Sequence, residues 1–111
     1  MDAVLTKLFR FSASHAHGTK VLGHNYALGV LVAPLGPEEE TAFAEKVETS
    51  LIRRLDSRDL GQDVDFLRGV AIADEALLRA FWRVLEPAVA PVRLRGLWLE
   101  RDSRTRTTLS A

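Results

Sequence analysis

The sequence predicts an α+β fold: a four-stranded antiparallel sheet in the element order β-β-α-α-β-β, with two helices on one face. Three observations lead to it. Apolar residues alternate with polar ones at both ends of the chain, they recur at helical spacing in the middle, and prolines and glycines fall between the periodic runs. With 111 residues, no repeat and no linker, residues 1–111 read as one domain.

Val4 to His15 reads as the first strand, with Phe9, Phe11, Ala13 and His15 on one face and Leu8, Arg10, Ser12 and Ser14 on the other. HGTKVLG supplies turn residues, and a second strand runs from His24 to about Ala33, placing Tyr26, Leu28, Val30 and Val32 on the face of His24. PLGP closes it, because strands reject proline and glycine. Pro37 suits a first helical turn, and Glu38, Glu39 and Glu40 complement the positive end of the helix dipole. Phe43, Val47, Leu51 and Leu55 then give that helix one buried stripe. Asp56 to Ala71 reads as a loop with a short irregular piece. Asp74 is placed to cap a second helix, whose Leu77, Leu78, Phe81, Trp82 and Leu85 form a broad apolar face, and EPAVAP ends it. The last strands are Val92 to Glu100 and Thr105 to Leu109, joined by RDSR. The sheet then has two open edges, and open edges invite pairing between subunits.

Composition removes several function classes. Fifteen basic and fifteen acidic side chains cancel, so no field favours nucleic acid or an anionic membrane. RDSRTRTT lacks interleaved aromatics and reads as an exposed turn and edge strand. No run approaches the roughly twenty apolar residues of a membrane span, and the first residues lack the pattern of a signal peptide. The expectation is a cytoplasmic protein without nucleic-acid or membrane partners. Cysteine is absent, so a metal would rely on imidazole and carboxylate.

All three histidines, His15, His17 and His24, fall within FSASHAHGTKVLGHNY. Residues two apart on a strand face the same way, and the short connection can bring His24 beside them. Three neutral imidazoles converging on one point describe a zinc site with a fourth position open. Taken alone, the spacing also fits ordinary polar residues at strand ends.

FSASH, followed by GHNY, an acidic-started helix and LDSRDL, resembles the 6-pyruvoyl-tetrahydropterin synthase and 6-carboxytetrahydropterin synthase family across nearly the whole chain. The resemblance implies the family's tunnelling fold, in which subunits join edge to edge into a barrel with pockets between neighbours. It implies a zinc held by three histidines, a cysteine and an Asp-His pair that move protons, and a glutamate late in the third strand that anchors the pterin. His15 and His24 match two of the zinc ligands, while Leu22 occupies the place of the third, and His17 is the candidate substitute. Asp56 matches the aspartate of the proton relay, though by itself it reads as a turn residue; Ser57 stands where the relay histidine belongs, and Gly61 replaces a motif asparagine. Glu75 matches a motif glutamate at the second helix, where it also serves the helix dipole. Glu100 matches the pterin anchor, or else is a solvated glutamate paired with Arg101 or Arg93. The segment that would carry the cysteine is missing.

These matches imply a diverged homologue of a carbon–oxygen lyase that binds a pterin or purine-like ring through Glu100, with zinc on His15, His24 and His17, in a homo-oligomer. Because the usual acid and base are gone, the family's reaction by its usual residues is not expected. The alternative is a catalytically silent structural or interaction domain that keeps only the fold.

Overall fold

Leu5–His17 (β1) and Lys20–Val32 (β2) pair antiparallel along their full length, from Leu5 opposite Val32 to His17 opposite Lys20. The computed structural model describes residues 1–111. Only Gly18 and Thr19 remain as the connection, so most of HGTKVLG is strand rather than the turn its composition suggested. Gly18 takes φ +64°, the left-handed conformation that a two-residue hairpin needs at its first position and that glycine adopts without steric cost. One glycine suffices for the reversal, leaving Val21 and Leu22 free to extend the ladder.

Pro37–Val47 (α1) continues without a break through a π-helical stretch, Glu48–Ile52, and a last turn, Arg53–Leu55. The wider π turn lets Leu51 and Ile52 both face inward, so Phe43, Val47, Leu51, Ile52 and Leu55 are all buried. Where a loop was expected, Arg58–Asp59 (β3) pairs parallel with Ala13 and Ser14 of β1, and a single 3₁₀ turn spans Asp65–Leu67. Two residues carry no periodicity, which is why this strand is invisible in the sequence. Ser57, at φ +62°, turns the chain so that its N–H donates to the Ser12 carbonyl at 2.6 Å and the Leu60 N–H to the Ser14 carbonyl at 2.7 Å.

Asp74–Val89 (α2) runs through Pro87 instead of ending at EPAVAP, because a proline in the last turns removes only one backbone bond. Asp74 is the first helical residue rather than the cap; Ala73 holds the cap position, and the Asp74 carboxylate faces Arg101 Nε at 3.4 Å. Gly96–Arg101 (β4) and Thr105–Ser110 (β5) complete the sheet, whose order is β3-β1-β2-β4-β5. The fold class is therefore the α+β arrangement expected, with a fifth, parallel strand added at one edge.

Phe9, Phe11, Tyr26, Leu28, Val30, Leu97 and Leu99 turn one face of the sheet toward both helices, and 24 residues form a single core cluster. Burying each large side chain there contributes about 1.5–3 kcal/mol. Between Ala13 and Tyr26 no residue of the β1–β2 hairpin is buried, so the hairpin outruns the helices and gives the molecule its 48 Å long axis. The sheet of one chain is open: β5 is unpaired along its outer side, and β1 is covered only at Ala13 and Ser14.

Candidate functional site

Register decides which side chains meet. Directly opposed residues share a face, so Ala13 with His24, His15 with Leu22 and His17 with Lys20 continue the helix-covered face out onto the projecting hairpin. His15 and His24 stack there with ring centroids 5.5 Å apart and planes 25° apart, and Tyr26 lies edge-on to His24 at 5.9 Å. His24 Nδ1 donates to Asp102 Oδ2 at 2.6 Å, while the Asn25 N–H donates to Asp102 Oδ1 at 2.9 Å and the Asp102 N–H to the Asn25 carbonyl at 2.8 Å. The β4–β5 turn is thereby pinned to β2 beside the histidine. The Asn25 N–H, and after it His24, hold the Asp102 carboxyl below its usual range. A carboxylate on Nδ1 fixes the ring's orientation.

The expected three-histidine set is not assembled. No group of three histidine or acidic side chains stands where it could hold a metal ion. Leu22, which stands where the resemblance would put the third ligand, lies directly opposite His15 and is 37% exposed. His17 shares the face but is fully outside the core at the last pair, opposite the ammonium-bearing Lys20, which disfavours a cation there. The donors present do not fit a structural or catalytic zinc, which takes three or four protein ligands.

Glu100 lies on the other face. It sits opposite Ala27, which sits opposite Arg10, and on its far side it faces Arg106, giving a cross-strand row Arg10–Ala27–Glu100–Arg106. The helix-covered face with the histidines and the open face with Glu100 are thus separated by the sheet within one chain. Glu100 pairs with neither Arg101 nor Arg93. Arg106 Nε and Nη2 both donate to Glu100 Oε2, at 3.1 and 2.8 Å, because the β4–β5 register sets the two residues side by side. Arg101 points to the opposite face and Asp74. The Arg106 guanidinium also lies over the Trp98 ring, 3.8 Å from its centroid. Trp98 in turn fills the space above Gly29, where a Cβ would come within 2.1 Å of the indole.

An open cleft of about 460 Å³ adjoins this row, bounded by Arg10, Ser12, Asn25, Ala27, Asp56 and Glu100. Ser12 Oγ donates to Asn25 Oδ1 at 2.7 Å across its floor. Asp56 is committed to the backbone: its Oδ1 accepts the Ser12 N–H at 2.9 Å and ties the LDSRDL segment to the edge of β1. Glu75 pairs with Arg79 at 3.1 Å on the outer surface of α2. Arg10, Arg106, Asn25 and Asp102 escaped the sequence reading, since only the strand register brings them beside Glu100 and His24.

No family model and no curated protein matches the sequence. Among solved structures, the chain is similar to the 6-pyruvoyl tetrahydropterin synthase of Caenorhabditis elegans, with a TM-score of 0.83 and 16% sequence identity over 98% of this chain and 95% of that one. The likeness spans both chains almost entirely and establishes the fold.

Proposed function

We propose that this chain is a diverged pterin-synthase homologue that binds a planar pterin or purine-like ring in the open-face cleft, with Glu100 as the anchoring carboxylate. The observation that carries the reading is that Glu100, only 24% exposed in its side chain, borders a ring-sized cleft and keeps Oε1 without a partner. A carboxylate oxygen held on a paired strand offers a fixed acceptor to a ring N–H. The fold shared with a pterin synthase supports the choice of ring.

The reading does not extend to the family's lyase reaction. No thiol exists in the chain, Ser57 has no base partner, and Asp56 serves the backbone. Nor is zinc part of it. A homo-oligomer is, because the outer sides of β5 and of β1 from Leu5 to Phe11 are unpaired lengths of strand that a second copy can extend. A cytoplasmic setting belongs to the same proposal; no helix of the chain is long and apolar enough to cross a membrane.

Calorimetric titration with pterin and with guanosine tests the reading. Saturable binding is expected, weakened at least about tenfold by Glu100→Gln, since a charge-assisted bond is replaced by a neutral one. Absence of binding by either ring would leave the second reading, a structural or interaction domain. That reading draws on Leu22 facing His15 and on Arg106 already engaging Glu100.

A further inference from the structure

We infer that copies of this chain are held together by an acidic-on-basic contact in the helix layer, with α1 of one copy lying in the arginine-bordered groove beside α2 of the next. This rests on the homo-oligomer of the reading above and deepens it by naming the surfaces that meet.

The groove lies at the β5 edge. Arg79, Trp82 and Arg83 of α2, with Leu109 and Ser110 of β5, bound a hollow of about 290 Å³. Along Trp82 it continues into a second hollow of about 540 Å³, bordered by Val92, Arg93 and Leu94. Trp82 and Leu109 are only half-buried there. The acidic side chain on the border, Glu86, accepts the Trp82 Nε1 hydrogen at 3.2 Å. Arg79 is paired with Glu75 one helical turn away, while Arg83 and Arg93 make no ion pair. Tryptophan and arginine are the residues on which protein contacts most often depend.

The opposite edge carries the complement. α1 runs the same way as β1, from Glu40, bonded to Lys7 at 3.0 Å, to Asp56, bonded to Ser12. On a right-handed helix so placed, Glu40, Ala44 and Glu48 form a row on the flank over the outer side of β1, away from α2. Five glutamates, Glu38, Glu39, Glu40, Glu45 and Glu48, stand against Lys46 along α1 and its π-helical continuation. Glu48 makes no ion pair. A chain of zero net charge therefore sets an acidic helix at one edge and arginines at the other, which favours contact between unlike edges.

Backbone direction lets these edges meet. On β1 the Ser12 and Ser14 carbonyls point outward to the N–H groups of Ser57 and Leu60, so Thr6, Leu8 and Arg10 also turn their free groups outward. On β5 the Ala111 N–H turns inward to the Arg95 carbonyl, which leaves Arg106, Thr108 and Ser110 facing out. β1 and β5 run in opposite directions within the sheet. A copy that continues the sheet thus adds its β1 antiparallel to β5, and its α1 comes beside α2 of the first. Leu8, 51% exposed on the edge strand, gains a neighbouring strand in the same step.

Sedimentation velocity over a range of protein and salt concentrations tests the contact. High salt is expected to weaken the parent assembly. Arg83→Glu and Glu48→Lys should each raise the dissociation constant at least about tenfold, and the double variant should assemble at least about threefold more tightly than either. Both side chains reach solvent in the single chain, and thermal melting verifies that the variants are folded. Thr108→Pro serves as the edge control, because it removes an outward N–H and touches neither charge. Assembly that Thr108→Pro breaks but neither charge reversal weakens overturns the inference and leaves the homo-oligomer standing, as does a double variant no tighter than the singles. A parent chain that stays monomeric at every concentration takes the homo-oligomer and this inference together, while ring binding is decided separately by calorimetry.

Discussion

His24 Nδ1 and Asp102 Oδ2 meet at 2.6 Å although 78 positions separate them in the chain. The contact exists because Asp102 follows the last residue of β4, which pairs with Tyr26, and turns back with φ +53° onto the next residues of β2. Side chain and backbone together lock a hairpin turn to the strand that carries the histidine.

Asp102 therefore contributes to stability in a way that depends on pH. Its carboxyl is held below the ordinary value, so the folded state binds fewer protons than the unfolded state in that window. The contribution is complete above about pH 4 and fades as the pH drops through the depressed folded value. Asp102→Asn should flatten the acid limb of a plot of Tm against pH below about pH 4. Asp65, depressed chiefly by Arg54, acts in the same window and supplies a residual slope. An unchanged acid limb in the variant would mean that the His24–Asp102–Asn25 contact adds nothing to the folded state.

Zinc uptake should follow the number of imidazoles on the hairpin face. With Leu22 opposite His15 and two residues from His24, the native chain is expected to hold well under one zinc per chain when purified without tag or chelator. Leu22→His adds a third imidazole to the existing stacked pair and should raise the content to one. Elemental analysis and zinc titration measure both. Stoichiometric zinc in the native chain would show that His17 is recruited after all.

Gly29→Ala should destabilise the fold by about 1–3 kcal/mol, as overpacking does. The added methyl would lie 2.1 Å from Trp98 Cε2 and 2.4 Å from Nε1, so the indole must leave its seat and carry Arg106 with it. Urea unfolding gives the stability change, and the emission of Trp98 in a Trp82→Phe background reports the displacement. A variant as stable as the parent would contradict the close seating of the ring.

Tyr26 is the chain's single tyrosine, so its phenol can be followed by ultraviolet titration without overlap. Burial first, and the nearby Asp74 second, push it up to about 12. Because the folded state keeps the proton that the unfolded state releases, this group stabilises the fold below about pH 10 and the effect is lost between there and about 12. The absorbance change should come at about 12 or coincide with alkaline unfolding. Ionisation near 10 in the folded chain would show that the phenol is solvated.

Alternation in Phe9–His15 and Tyr26–Val32, the four-residue stripe from Phe43 to Leu55 and the apolar face of α2 announced the layers of the fold, because burial of one face needs only local spacing. The same reasoning placed His15 and His24 on strand faces that could meet, while Leu22 and Glu100 were singled out only by the resemblance to the pterin-synthase family. It missed β3, which is too short to show a period, and the length of the hairpin, which hinges on one left-handed glycine. It also gave Glu100 the wrong arginine, since Arg93, Arg101 and Arg106 are indistinguishable until register is known.

The sequence by itself determined the element order, the composition of the core and which residues can carry chemistry, all properties of near neighbours along the chain. Only the tertiary structure decided that Arg106 and Trp98 frame Glu100, that Asp102 holds His24, and that the two groups open on opposite faces. Those relationships depend on which residue of one strand stands opposite which of another. A shift of one residue would reverse every facing, and the choice among registers is made by the whole packed sheet.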